Sequence, residues 1–179
     1  MAKTLALSTS IPVIVLLLLT VITCIQAEQY QLKETTMSIF FQDSMMGPNA
    51  TIVAVAGIPG KPRDFFQFGT VFVTDDPITT SIERNSPEIG RGQGMYVTCS
   101  LDGKNTYVLV FVVFSNPEYG GSTLELQGRS IQLAPVREVS IVSGTGKFRF
   151  ARGYATFETV FVDSSTGRST EWCNISVLY

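Results

Sequence analysis

From Glu34 to Tyr179 the chain alternates apolar and polar residues with a period of two, the mark of strands that bury one face. Candidate strands cover 34–43, 50–56, 65–75, 94–101, 105–115, 122–127, 136–142, 152–163 and 168–178. Turn-forming clusters separate them, among them Met46-Gly47-Pro48-Asn49, Gly57-Ile58-Pro59-Gly60, Asn116-Pro117 and Ser164-Ser165-Thr166-Gly167. Asp102-Gly103 reads as a tight hairpin. No stretch keeps helical spacing for twelve residues. The expected fold is all-β: an eight-stranded antiparallel up-and-down β-barrel of the calycin type, closed so that no edge is left bare.

Two segments depart from this rhythm. Thr79 to Gly94, "TTSIERNSPEIGRGQG", is too long and polar for a turn. It is expected as a loop, either a lid or rim at the barrel mouth or a stretch without fixed structure. Residues 107–114, "YVLVFVVF", are apolar on both parities. A wall facing water would not carry Val108, Val110, Val112 and Phe114 outward, so this strand is expected to pack against another copy of the chain.

Continuing each strand's parity places polar side chains among apolar ones. Asp43 follows Ile39 and Phe41, Arg137 precedes Val139 and Ile141, and Thr159 stands between Phe157 and Phe161. Tyr96 lies with Thr98 and Ser100, opposite Val97 and Cys99. A barrel lumen would bring Asp43, Arg137 and Thr159 together. A lone buried charge is costly, so it persists when paired or useful. Desolvation tightens a carboxyl's hold on its proton, and a nearby Arg137 would oppose that. Asp43 is thus a candidate general acid or base, and Arg137 a candidate cation for developing charge. Asp75-Asp76-Pro77, by contrast, reads as a strand-end turn.

Composition narrows the chemistry. The 179 residues contain no histidine, which removes Ser-His-Asp and Cys-His catalysis and nearly every common zinc or copper site, so no metal is expected. Ile11 to Ile22 is almost purely apolar after Lys3, and Ala27 precedes the first acid, Glu28. Residues 1–27 are therefore expected as a secretory signal peptide cleaved near Ala27. Residues 28–179 then form one domain with a full core. Its mildly acidic, unclustered charge argues against nucleic acid or membrane as partner. Asn49-Ala50-Thr51 and Asn174-Ile175-Ser176 are glycosylation sequons, as in an exported glycoprotein. Cys99 and Cys173 remain after Cys24 leaves with the leader. They make either one bridge or two buried thiols.

Several motifs together resemble the plant dirigent proteins: "FFQD" (40–43), "GPNAT" (47–51), "FGTVFVTDDPIT" (68–79), "GRGQGMY" (90–96), "GGSTLELQGR" (120–129), "VREVSIVSGTGKFRFARGYA" (136–155) and the closing "VLY". The resemblance implies a secreted, apoplastic, glycosylated eight-stranded barrel that associates as a trimer. It also implies a small phenolic substrate and no cofactor. In the best-known members a separate laccase or peroxidase generates phenoxy radicals, and the barrel steers them to one stereochemical outcome by way of a quinone methide. Asp43 matches the family's pocket aspartate, in a place where the usual His-Asp reads Gln42-Asp43. Arg137 matches the pocket arginine, Tyr96 and Thr159 match lining positions, and Phe41 is expected beside them. Ser130 stands where lignan-forming members carry a second pocket aspartate. That departure points away from pinoresinol formation and toward another subgroup. Some legume relatives use a similar pocket as lyases, dehydrating an isoflavanol through a quinone methide. A barrel that binds phenolics without changing them is a third expectation.

Overall fold

The computed structural model describes residues 12–21 and 32–179. Residues 12–21 are helical and belong to a unit, Met1–Lys33, that is separate from the barrel unit, Glu34–Tyr179. Among the described residues no helix is long and apolar enough to cross a membrane. The expected cleavage near Ala27, with Lys3 and Cys24, lies outside the described residues.

Nine strands make up the second unit: β1 (Glu34–Ser44), β2 (Ile52–Ala56), β3 (Val71–Thr79), β4 (Glu88–Thr98), β5 (Asn105–Phe114), β6 (Thr123–Ile131), β7 (Arg137–Gly144), β8 (Arg152–Asp163) and β9 (Arg168–Leu178). Eight of them form a closed antiparallel ring. From β3 to β9 each pairs with the next in sequence, β9 then pairs with β1 along its whole length, and β1 closes onto β3 through Phe40↔Thr79 and Phe41↔Ile78. Short β2 lies beside the ring and takes over the rest of β3's free edge, from Ile52↔Thr74 to Ala56↔Val71. The expected eight-stranded barrel is therefore the fold, closed by the short β1–β3 pairing.

Inward side chains fill one end of the barrel. Phe114, Tyr119, Phe148 and Tyr179 make an aromatic plug with ring centroids 4.9–5.5 Å apart, packed on Ile78, Leu124, Ile141 and Val177. The opposite end stays hollow, and this asymmetry fixes where a ligand can sit.

Four expectations need correction. The strand expected at 65–75 begins only at Val71, and β4 starts at Glu88, so the polar loop shrinks to residues 80–87. "GRGQG" is strand because its glycines admit neighbours: a Cβ at Gly92 would lie 2.2 Å from the Phe41 ring. In β5, Val108, Val110, Val112 and Phe114 point inward and are buried. Its water-facing row is instead Tyr107, Leu109, Phe111 and Val113. Finally, Cys99 and Cys173 are both free. Cys99 stands exposed past the end of β4, on the outward parity of Val97. Cys173 points into the core from β9, a strand that pairs only with β1 and β8. The two thiols thus sit on opposite sides of the barrel wall, so neither a bridge nor a pair of buried thiols is formed.

Candidate active site

The hollow end is a cavity of about 550 Å³, within the usual range for small organic ligands. It lies where β1, β4, β6 and β8 end and where β5, β7 and β9 begin. Phe41, Asp43, Tyr96, Ser130, Arg137 and Thr159 all line it. Residues of five different strands therefore converge on one space. Phe41 and Phe157 tilt against each other at 5.5 Å, and Val108, Val110 and Val139 complete a mostly apolar wall.

Asp43 is one of three acids on that wall, with Asp163 and Glu171. Burial holds its carboxyl well above the usual carboxylate range, and the charges of Asp76 and Glu171 push the same way. The Ser169 hydroxyl, 3.3 Å from Oδ2, and Arg84 oppose them without cancelling them. Arg137, expected to temper Asp43, instead forms an ion pair with Glu171.

Behind the cavity wall lies a further acid. Asp76 is fully buried in the interior of β3, on the inward parity of Phe72, Thr74 and Ile78, and is not part of a turn. Asp75 faces outward and binds Arg91 at 2.8 Å. Burial raises Asp76 to about 6 against hydrogen bonds donated by the Thr51 and Thr74 hydroxyls. Burial, then Asp43, Asp76 and Glu171, push the Tyr96 phenol well above its ordinary value, so it stays a neutral hydrogen-bonding group.

Arg137, Thr159 and Glu171 form a closed triangle. Arg137 Nη2 donates to Glu171 Oε2 and to Thr159 Oγ1 (2.9 Å), while the Thr159 hydroxyl donates to the Glu171 carboxylate at 2.9 Å. The strands dictate this meeting, because Thr159 stands opposite Glu171 across β8 and β9, and Arg137 stands opposite Phe157 across β7 and β8. Arg137 Nε is buried with no partner among the described residues. Past Thr159 a bulge shifts the register. Val162 borders the cavity as a result, and Phe161, expected inward, is exposed.

Gln42 does not reach the cavity. It lies beneath the 80–87 loop, donating to Thr79 Oγ1 (2.9 Å) and the Ile82 carbonyl (3.2 Å) and accepting from Thr170 Oγ1 (3.0 Å). Arg84 fastens the same loop through the carbonyls of Gln42 and Asp43. The Gln-for-His departure is thus part of the loop's anchorage.

Sequence reasoning missed two acids, Asp76 and Glu171. The rule that found Asp43 applies to both, since Glu171 shares the inward parity of Cys173 and Ile175.

The fold and site together are a closed antiparallel barrel, plugged at one end and holding acids in an apolar mouth at the other. The chain belongs to the Dirigent-like protein family, whose model matches residues 34–178. It is 39% identical over 134 residues to pterocarpan synthase 1 of Glycine max, covering 74% of this chain and 72% of that one. Against pterocarpan synthase 1 of Glycyrrhiza echinata it is 40% identical over 136 residues, 75% and 72% of the two chains. Dirigent protein 11 of Arabidopsis thaliana is 38% identical over 74% of this chain and 70% of its own. The solved pterocarpan synthase dirigent protein GePTS1 superposes with a TM-score of 0.77 at 38% identity, over 84% of this chain and 87% of the other.

Proposed function

We propose that this barrel is a lyase of the quinone-methide type, which removes water from a phenolic benzylic alcohol and directs closure of the resulting ring. The observation that carries this reading is Asp43, a half-buried carboxyl set in the wall of a mostly apolar cavity, where desolvation strengthens its hold on the proton. Such a group can donate a proton near neutral pH. Its O–H protonates the leaving hydroxyl as the C–O bond breaks and water departs. The phenol loses its proton to solvent at the mouth, leaving a neutral quinone methide. An internal hydroxyl then adds to the methide carbon, and its proton returns to Asp43. The phenol oxygen regains a proton as the ring rearomatises, so the net change is loss of one water.

Tyr96 is positioned to hydrogen-bond a substrate oxygen, and Phe41 and Phe157 to hold the ring. The similarity to pterocarpan synthases and the absence of an aspartate at Ser130 support this reading over lignan formation. Radical steering with an external laccase or peroxidase is the second reading, favoured by the similarity to Arabidopsis dirigent protein 11. Turnover of an isoflavanol by the purified protein with no oxidase present supports the lyase. Stereoselective coupling seen only when laccase is added, with no oxidase-free turnover, refutes it.

We further propose a secreted glycoprotein modified at exposed Asn49 and half-buried Asn174. Val53, Val73, Met95 and Leu109 stand side by side in register on the outside of β2 to β5, each 39–46% exposed. This row supports a homotrimer, and a monomer in sedimentation at micromolar concentration refutes it.

A further inference from the structure

The Arg137–Thr159–Glu171 triangle has a consequence for which ligands enter. Arg137 is the cation set into the inner wall of the cavity, and the side chains of Arg137 and Glu171 are only 16% and 17% exposed. Their charges cancel. Thr159 has its hydrogen committed to the Glu171 carboxylate, so the triangle offers an entering anion no free donor from that hydroxyl. Two other charged residues border the cavity. Arg168 is exposed at the rim, and Asp163 is held by Ser165 and Thr166.

Past the exposed Arg168 at the rim, a carboxylate, sulfonate or phenolate that reaches Arg137 finds its guanidinium already paired with the Glu171 carboxylate. In a poorly screened site that encounter is strongly unfavourable. A neutral ligand of the same shape meets no such opposition and keeps the aromatic wall and the Tyr96 hydroxyl.

We infer that Glu171 is a specificity-determining residue that closes Arg137 to anions, so that the cavity selects uncharged ligands over their anionic counterparts. This deepens the phenolic reading above by naming the protonation state of the ligand, and it rests on that reading only for the identity of the ring.

The test uses two fluorescent probes that differ by one charge, 1-anilinonaphthalene and its 8-sulfonate, titrated into the wild-type chain, Glu171→Gln and Glu171→Gln/Arg137→Gln. Wild type is expected to favour the neutral probe at least tenfold. Glu171→Gln leaves Arg137 unpaired and should tighten the sulfonate tenfold or more, and the double variant should lose that gain. A gain of binding is not explained by poor folding. A neutral-to-anionic ratio unchanged within twofold in Glu171→Gln overturns the inference. If the ratio shifts as expected but neither an isoflavanol nor 4-hydroxycinnamyl alcohol binds, the charge selection stands and the phenolic reading falls.

Discussion

Replacing Asp76 with asparagine should make the barrel less sensitive to rising pH. Asp76 is completely buried, and its proton is held to about 6 against an ordinary 3.8. A carboxyl whose folded form binds its proton more tightly than the unfolded chain stabilises the fold while protonated. That contribution is fully present below the unfolded value and is lost as pH rises through the folded one. At about 1.4 kcal/mol per tenfold difference in proton affinity, the full loss is about 3 kcal/mol. About 2.5 kcal/mol of it falls between pH 4 and pH 8. The asparagine side chain cannot ionise, and the substitution also removes one of the charges that burden Asp43, which acts in the same direction. Urea denaturation of both proteins at half-unit steps from pH 4 to pH 8 isolates the effect, because the other titrating groups are shared. The variant's stability relative to wild type should rise by about 2.5 kcal/mol or more across that range. A difference that stays flat, or that shrinks as pH rises, refutes the assignment of Asp76 as a buried, proton-holding acid.

Other outcomes follow from the same geometry. Asp43→Asn keeps the shape of the side chain and removes its proton, and should lower turnover of an isoflavanol about 10²- to 10⁴-fold in a steady-state assay. Gly92→Ala forces a Cβ to within 2.2 Å of the Phe41 ring and should cost about 1–3 kcal/mol in urea denaturation. Gln42→Leu strips partners from Thr79, Thr170 and the Ile82 carbonyl. It should cost about 2–3 kcal/mol and expose the 80–87 loop to limited proteolysis. Thr51→Ala removes both the sequon hydroxyl and a donor to Asp76. It should lower both apparent mass and melting temperature, whereas Asn49→Gln should lower mass alone and Thr51→Ser neither.

Much of the barrel is legible along the chain because pleating is local. Each strand's alternation says which side chains share a face, and that alone placed Asp43, Arg137 and Thr159 inside, whereas Tyr96 was found through the family resemblance. Where alternation misled, the cause was again geometric. The bulge after Thr159 turned Phe161 outward, and both parities of β5 were apolar, so its sequence could not say which row faced the lumen. "GRGQG" looked like loop because glycine lacks the side chain that announces a strand, yet here that missing side chain makes room for the Phe41 ring.

What the sequence by itself determined was the all-β barrel and the inward face of most strands, since a strand's two faces follow from its own backbone. Which inward groups become neighbours depends on closure and register between segments far apart in the chain. Only the folded barrel set Glu171 of β9 beside Arg137 of β7 and Thr159 of β8, and Asp76 of β3 behind Asp43 of β1. Proton affinity and charge balance arise from those meetings, because desolvation and Coulomb interaction act through space and not along the chain.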